Sequence, residues 1–259
     1  MYTLKQKLSK KKLTIGSWLS FGFTPVTEMM SKSGFEWLVI DLEHTAINST
    51  TVLNMIQIIN LSGLSPLVRV GKNDELLIKN AMDSGAYGVI VPMVNTKIDA
   101  ERAVNSVKYP PTGTRGVGLS RAQGYGMEFE SYSTWVESNS VVIVQIEHYK
   151  AVENLSEILS VEGVDGFIVG PYDLSGSIGH PGKFNHPLVK DAMKEIENFL
   201  FDSNKPGGIH VVHSNHTLLE ETLSKGYKFI AYGDDMVFFA EKLNKEKEFL
   251  TELKTKFGV

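Results

Sequence analysis

The sequence contains no cysteine, which excludes disulfide bonds, thiolate metal sites and cysteine nucleophiles. It also lacks an uninterrupted apolar run of about 18 residues, the length that a membrane-spanning helix requires. Positive charge is not in excess: the formal net charge is -4, with both signs interspersed, so we expect no nucleic-acid partner. The N-terminal segment has no apolar core of a secretory signal. We therefore expect a soluble, cytoplasmic protein that contacts neither nucleic acid nor membrane.

Short apolar runs alternate with longer segments of helical periodicity along the whole chain. The apolar runs predict strands at Leu13–Leu19, Trp37–Asp41, Leu67–Val70, Gly88–Val91, Val141–Glu147, Gly166–Val169, Gly208–Val212 and Phe229–Tyr232. Helical spacing is found at Thr51–Leu61, Glu75–Ser84, Ile98–Val107, Ala151–Leu159, Pro187–Asp202, Thr217–Lys225 and Met236–Phe257, and a short helix is expected near Met127–Glu137.

Eight βα units in a chain of 259 residues predict one (β/α)8 TIM barrel domain over residues 1–259, with eight parallel strands. Nearly continuous apolar strands are expected where helices cover a parallel sheet. An open doubly wound sheet is the alternative, but no Gly-x-Gly-x-x-Gly turn follows the first strand.

Several polar residues fall at the predicted C-terminal ends of strands, where barrel enzymes carry their active sites. Glu147 ends the fifth predicted strand and Asp173 follows the sixth, and a pair of carboxylates suits a hard cation such as Mg2+ or Mn2+. The alternatives are a salt bridge at the barrel rim for Glu147 and a helix or turn cap for Asp173. Gln145 precedes Glu147 by two residues, so the two side chains share one face of the strand.

Arg69 and His44 are further candidates, each with a structural alternative. A buried guanidinium needs an anionic or polar partner, which would be either a substrate oxygen or a carboxylate on a neighbouring strand. Asp41 lies three residues before His44 and could orient its imidazole, although His44 could equally cap a helix. A metal cluster of His210, His213 and His216 is disfavoured, because their spacing crosses from strand to helix.

Taken together, six segments resemble the HpcH/HpaI aldolase family, the class II pyruvate aldolases of the phosphoenolpyruvate/pyruvate barrel superfamily. They occur in the family's order over about residues 13–240: GFEWLVIDLEHTAIN, PLVRV, GAYGVIVPMV, YPPTGTRGVG, VQIEH and VEGVDGFIVGPYDLSGSIGHPG. One departure is Tyr172, which stands where a small residue is common in the family.

The resemblance implies a role for each candidate residue. His44 would be the catalytic base, with Asp41 orienting it, and Arg69 would contact the keto oxygen of a pyruvate unit. Glu147 and Asp173 would hold the metal, with Gln145 beside its water shell. The backbone amides around Tyr172 and Asp173 would hold the substrate carboxylate.

The implied activity is reversible cleavage of a 4-hydroxy-2-oxo acid to pyruvate and an aldehyde, through a pyruvate enolate stabilised by the metal and Arg69. Mg2+ or Mn2+ is expected, with Co2+ as a further candidate. A related lyase or decarboxylase acting on an oxaloacetate-like acid is the main alternative, and a keto-acid-binding barrel without turnover is a less favoured one. A Schiff-base aldolase would need a desolvated lysine at a strand end, for which Lys72 and Lys150 are poor candidates.

The C-terminal segment Met236–Phe257 has a strongly amphipathic pattern whose apolar face needs a partner. That partner is either the chain's own barrel or another subunit. The resemblance implies exchange of this helix between paired subunits, in a homo-oligomer that is a hexamer built as a trimer of dimers.

Overall fold

The computed structural model describes residues 2–258. Eight parallel strands form a closed barrel in sequence order, and the last strand pairs with the first. The strands are β1 (Thr14–Leu19), β2 (Trp37–Asp41), β3 (Ser65–Arg69), β4 (Gly88–Val91), β5 (Val141–Ile146), β6 (Gly166–Val169), β7 (Gly207–Val211) and β8 (Phe229–Asp234). The predicted (β/α)8 barrel is therefore confirmed.

Helices surround the barrel and connect the strands. They are α1 (Leu4–Ser9), α2 (Thr24–Ser31), α3 (Ser49–Leu61), α4 (Glu75–Asp83), α5 (Lys97–Val107), α6 (Phe129–Asn139), α7 (Tyr149–Glu153), α8 (Leu155–Ser160), α9 (Pro171–Ser177), α10 (Pro187–Asp202), α11 (His216–Ser224) and α12 (Asp235–Phe257). A 3-10 helix, Arg121–Gly126, lies in the long connection between α5 and α6. Among residues 2–258, no helix combines the length and apolar character needed to cross a bilayer.

The helix predictions differ from the structure in three respects. Helices α1 and α2 were not predicted, because each is too short to display a clear period. The predicted helix Ala151–Leu159 is two helices, since the chain leaves helical geometry at Asn154. Helix α9, which follows β6, was also not predicted.

An apolar floor closes the lower part of the barrel interior. The rings of Trp37 and Phe229 stack there, with centroids 4.3 Å apart and an interplanar angle of 8°. Buried side chains of Val39, Leu67 and Ile143 complete the same cluster. Polar groups at the C-terminal strand ends therefore lie above a dry core, in a setting of low dielectric.

Candidate active site

A cavity of about 210 Å³ opens at the C-terminal end of the barrel. Its wall is built from strand ends and from the loops that follow them. The polar or aromatic residues of this wall are Trp18, His44, Arg69, Gln145, Tyr172, Asp173 and His210. Five of the seven candidate residues predicted from the sequence thus line one cavity; Asp41 and Glu147 lie buried beside it.

Asp41 and Arg69 form a bidentate salt bridge beneath the cavity. They are direct neighbours in the register of β2 and β3, and Arg69 donates from Nε to Asp41 Oδ1 (2.9 Å) and from Nη2 to Oδ2 (2.7 Å). Burial alone would raise the pKa of Asp41, but the hydrogen bonds and charge of Arg69 outweigh it and lower the pKa. The guanidinium also lies 4.3 Å from the ring centroid of Trp18. The structural partner anticipated for Arg69 is thus present, and Arg69 lines the cavity as well.

The predicted contact between the Asp41 carboxylate and the His44 imidazole is not observed. Asp41 Oδ1 accepts hydrogen bonds from the backbone N–H groups of Glu43 and His44, and the rest of the carboxylate is engaged by Arg69. The His44 ring is 62% exposed, and its Nε2 lies 3.8 Å from Glu43 Oε2. Asp41 therefore fixes the loop that carries His44, while its side chain contacts Arg69 instead of the imidazole.

Glu147 is a buried carboxyl at the end of β5. Its Oε1 accepts a hydrogen bond from the Met93 backbone N–H (2.7 Å), and its Oε2 accepts one from the Gln145 amide. Burial, together with the negative charges of Glu43 and Asp173, raises the pKa of Glu147 to about 7, although the hydrogen bonds from Met93 and Gln145 oppose the shift. Such a carboxyl is destabilised when ionised, unless a positive charge joins it.

Glu43 is a residue of this site that sequence reasoning did not assign a role. Its Oε2 lies 3.2 Å from Arg69 Nη1. Burial raises the pKa of Glu43, with contributions from Asp41 and Asp173, while Arg69 opposes the shift. Asp173 thus acts electrostatically on both Glu43 and Glu147, which indicates a concentration of negative charge at one edge of the cavity.

Gly170, at the end of β6, is required by close packing against Glu147. A Cβ atom at this position would lie 2.9 Å from both the Cβ and Oε2 atoms of Glu147 and 3.2 Å from Gln145 Nε2. Contacts below 3.0 Å force a displacement, so any larger residue here would move the carboxylate.

Asp173 and Tyr172 lie in the first turn of α9, where backbone N–H groups lack partners within the helix. The Tyr172 side chain is 59% exposed, and its ring packs edge-on against Phe184 with centroids 4.9 Å apart. Tyr172 therefore contributes to the cavity wall at its outer edge.

The donor set fits a hard divalent cation. Glu147 and Asp173 supply carboxylate oxygens, and Gln145 Oε1 is enclosed with no hydrogen-bond partner within residues 2–258, as expected of an atom that bonds an ordered water. In the described part of the chain, no three acidic or histidine side chains converge as a complete ligand set. Glu147 and Asp173 would therefore share such an ion with water and substrate oxygens, as Mg2+ sites commonly do.

The remaining histidines of the segment after β7 do not form a cluster. His210 faces the cavity, whereas His213 is exposed and its Nδ1 lies 2.9 Å from Glu241 Oε1 on α12. His216 lies near Tyr232, with ring centroids 6.4 Å apart. Lys72 and Lys150, the lysines considered for Schiff-base chemistry, are both exposed.

Comparison with known proteins gives consistent matches over nearly the whole chain. The family model described as HpcH/HpaI aldolase/citrate lyase matches residues 15–241. A 5-keto-4-deoxy-D-glucarate aldolase of Shigella dysenteriae is 36% identical over 242 residues, covering 93% of both chains.

Solved structures show the same likeness. An HpcH/HpaI aldolase/citrate lyase family protein from Burkholderia cenocepacia superposes with a TM-score of 0.88 at 31% identity, covering 97% of this chain and 98% of the other. A citrate synthase superposes with a TM-score of 0.85 at 25% identity, covering 99% of each chain.

Proposed function

The chain belongs to the HpcH/HpaI aldolase/citrate lyase family, and on that premise we propose that its cavity cleaves a 4-hydroxy-2-oxo acid reversibly to pyruvate and an aldehyde. The predicted family and the predicted enzyme class, a metal-dependent aldolase, are confirmed by the same matches. The observation that carries the proposal is the buried Glu147 carboxyl, whose pKa is raised to about 7 beside Asp173. A divalent cation bound by Glu147 and Asp173 would offset the cost of ionising the buried carboxyl, and it is the group that a class II aldolase needs.

We propose Mg2+ or Mn2+, with Co2+ as a further candidate, held by Glu147 and Asp173 with Gln145 Oε1 toward its water shell. When bound, the ion supplies Lewis-acid polarisation of the keto oxygen, an effect worth several kcal/mol in general. The hydrogen bonds from Met93 and Gln145 keep the Glu147 side chain in one orientation. The chain therefore contributes a ligand that is already in place before substrate arrives.

Two cationic or basic groups are proposed to act on the substrate itself. His44 removes the proton from the C4 hydroxyl, directly or through a water, and the C3–C4 bond breaks to give the aldehyde and a pyruvate enolate. Protonation of the enolate at C3 then releases pyruvate. The Arg69 guanidinium stabilises the negative charge that develops on the keto oxygen of the pyruvate unit. Asp41 is a positioning residue, since it holds Arg69 through two hydrogen bonds and fixes the backbone before His44.

The carboxylate of the substrate is proposed to lie against the first turn of α9, at the amides of Tyr172 and Asp173. This assignment places the oxo acid at the β5–β6 side of the cavity, near Gln145 and Gly170. The remaining wall, which includes Trp18, is then left for the aldehyde half.

A related lyase or decarboxylase activity on an oxaloacetate-like acid remains the second candidate. The likeness to a citrate synthase at 25% identity favours it, and the proposed roles of Glu147 and Arg69 would be unchanged. A panel of 4-hydroxy-2-oxo acids and oxaloacetate separates the two, because only the former yield pyruvate and an aldehyde together.

The direct test of the proposed function is pyruvate release from a 4-hydroxy-2-oxo acid, measured with lactate dehydrogenase. Activity should vanish in EDTA and return on adding Mg2+, Mn2+ or Co2+, and the fastest of these identifies the preferred ion. Borohydride added with pyruvate should leave no covalent adduct. A trapped adduct on a lysine would overturn the metal mechanism in favour of a Schiff base.

We also propose a homo-oligomer in which α12 packs on a second copy, as in a hexamer built from dimers. Along α12, large apolar side chains are exposed, including Phe239, Leu243, Phe249 and Leu250. Light scattering should show an assembly larger than the monomer. Removal of residues 244–259 should reduce the number of subunits in that assembly. A full-length chain that is monomeric at micromolar concentration would contradict this proposal.

A further inference from the structure

The outer face of β7 is incompletely covered by helices. Ile209 and Val211 project from this strand into the apolar layer between strands and helices, yet Ile209 is only half-buried. The cause is the spacing of the flanking helices: among residues 2–258, α2 packs closely on α3 and α4 on α5, whereas α10 and α11 stay apart. A groove of about 540 Å³ therefore lies between α10 and α11, with β7 as its floor.

Two side-chain contacts close the groove at its ends. At the end nearer the catalytic cavity, the ring of Tyr172 packs edge-on against Phe184, with centroids 4.9 Å apart. At the other end, Lys225, which follows α11, places its Nζ 2.9 Å from Glu197 Oε1 on α10. The groove is thus bounded along its length and open toward solvent, so it suits a small ligand better than an extended polypeptide.

The walls of the groove consist mainly of hydrocarbon. Met193 on α10 and Leu218 on α11 contribute apolar side chains from either side. The polar groups at depth are already engaged, because the Thr222 hydroxyl donates to the Leu218 carbonyl oxygen (2.7 Å) and His210 Nε2 donates to that of Gly233 (2.9 Å). The part of a ligand that enters the groove must therefore be apolar, since a polar group would lose water without gaining a partner.

The rim of the groove carries positive charge that the chain itself does not neutralise. Lys190 and Lys194 are four residues apart on α10, so both side chains project from the same side of the helix. Both are exposed, and among residues 2–258 neither has a carboxylate oxygen within 4 Å, unlike Lys225. An anionic head group is therefore complementary to this rim.

We propose that the groove is a second binding site, which takes a medium-chain fatty acid. The alkyl chain lies on Ile209 and Val211, and the carboxylate lies between Lys190 and Lys194. The volume of the groove is within the range of roughly 300–1,000 Å³ that small-molecule sites occupy. The groove shares Tyr172 with the wall of the catalytic cavity but contains neither proposed metal ligand, so this binding requires no metal.

Isothermal titration calorimetry of the full-length chain in EDTA measures this binding without the catalytic metal or an oxo acid, so its outcome is independent of the proposed function. Decanoate should bind, and affinity should rise about threefold per methylene from hexanoate to decanoate, because each added methylene is buried. Affinity should fall as the NaCl concentration rises, because salt screens the lysines. The absence of decanoate binding, or an affinity independent of chain length, would overturn the inference.

A double substitution tests the role of the rim. In Lys190→Gln combined with Lys194→Gln, the Kd for decanoate should rise about fivefold, as expected from the loss of two exposed ion pairs. Lys10→Gln combined with Lys97→Gln is the control, since it removes the same charge from exposed positions outside the groove and should leave the Kd unchanged. Equal Kd values for the two double variants would overturn the inference.

A matched pair of leucine substitutions tests the place of the alkyl chain. Leu218 lines the groove and Leu188 does not, and their side chains are exposed to a similar extent, 44% and 54%. Leu218→Glu should raise the Kd for decanoate at least about tenfold, because it places a carboxylate against the chain and the head group. Leu188→Glu should bind as the wild type does. The same Kd in both would mean that decanoate binds elsewhere, for instance on the exposed apolar side chains of α12.

Two measurements on the wild-type chain cover the case in which the variants fail to fold. With 13C-methyl methionine, decanoate should shift the resonance of Met193, assigned by its loss in Met193→Leu, and leave that of the exposed Met127 in place. Light scattering should show the same mass with and without decanoate. An unmoved Met193 resonance would overturn the inference, and so would dissociation of the assembly, since the groove would then be a contact between copies of the chain.

Discussion

Arg69 and Asp41 are direct neighbours across β2 and β3, and the guanidinium of one holds both carboxylate oxygens of the other at 2.7 and 2.9 Å. This pair leaves Arg69 Nη1 free of Asp41 and 3.2 Å from Glu43 Oε2. The planar guanidinium is thus held in one orientation by Asp41, while part of Arg69 remains exposed at the cavity wall. A guanidinium held in this way can stabilise developing charge without reorganising.

The bidentate salt bridge between Arg69 and Asp41 predicts that Arg69→Lys is not a conservative change. An ammonium group cannot make the two parallel hydrogen bonds to Asp41, so it would keep the charge but lose the orientation. We expect kcat for pyruvate release to fall by about 100-fold. Arg102→Lys, on the exposed face of α5, is the control and should match the wild-type chain. An Arg69→Lys rate within threefold of wild type would remove the oriented guanidinium from the mechanism.

The raised pKa of Glu147 predicts that the free energy of unfolding of the metal-free protein depends on pH. The folded chain holds a proton on Glu147 up to about pH 7, whereas the unfolded chain releases it near the ordinary value of 4.5. Between these values the folded chain binds more protons, so the free energy of unfolding falls as the pH rises.

Glu147→Gln should therefore stabilise the metal-free protein at pH 8 by roughly 1–3 kcal/mol, with no gain near pH 4. The amide retains an acceptor for the Met93 N–H and carries no charge. Urea unfolding in EDTA at the two pH values measures the effect. The same variant should lose Mn2+ binding. A Glu147→Gln chain less stable than wild type at pH 8 would show that the ionised carboxylate is structural.

The contact between Gly170 and Glu147 predicts a metal-binding defect from a single methyl group. In Gly170→Ala the new Cβ lies 2.9 Å from Glu147 Oε2, so the carboxylate must move. We expect the Kd for Mn2+, measured by electron paramagnetic resonance, to rise at least about tenfold. Gly176→Ala is the control, because a Cβ at Gly176 meets no atom within 4 Å. Equal Mn2+ affinities for the two variants would mean that Glu147 is not a ligand.

The barrel could be predicted from the sequence because its strands are buried on both sides. β2, β4 and β6 begin and end at the predicted residues, and the other strands differ by one or two residues at one or both ends. Their apolar runs are continuous and are bounded by glycine or polar residues. Helices α1 and α2 escaped prediction, since six and eight residues give too few turns for a period to appear.

The sequence could predict which residues lie at the C-terminal strand ends, but not which side chains contact one another there. Gln145 and Arg69 face the cavity because their positions at strand ends place them there. The partner of Asp41 could not be predicted, since it depends on the register between β2 and β3 and not on the spacing to His44. Glu43 was missed for a related reason: its burial is visible only once Arg69 lies beside it. The family resemblance supplied the roles that spacing left open.

The proposed cleavage depends most on metal-dependent formation of a pyruvate enolate, and deuterium exchange into the methyl group of pyruvate tests this step alone. Proton nuclear magnetic resonance in deuterium oxide follows the loss of the methyl signal without any aldehyde present. We predict exchange by the wild-type chain with Mg2+ or Mn2+, none in EDTA, and none with Glu147→Gln or Asp173→Asn. Exchange at the same rate in EDTA as with metal would contradict the central claim.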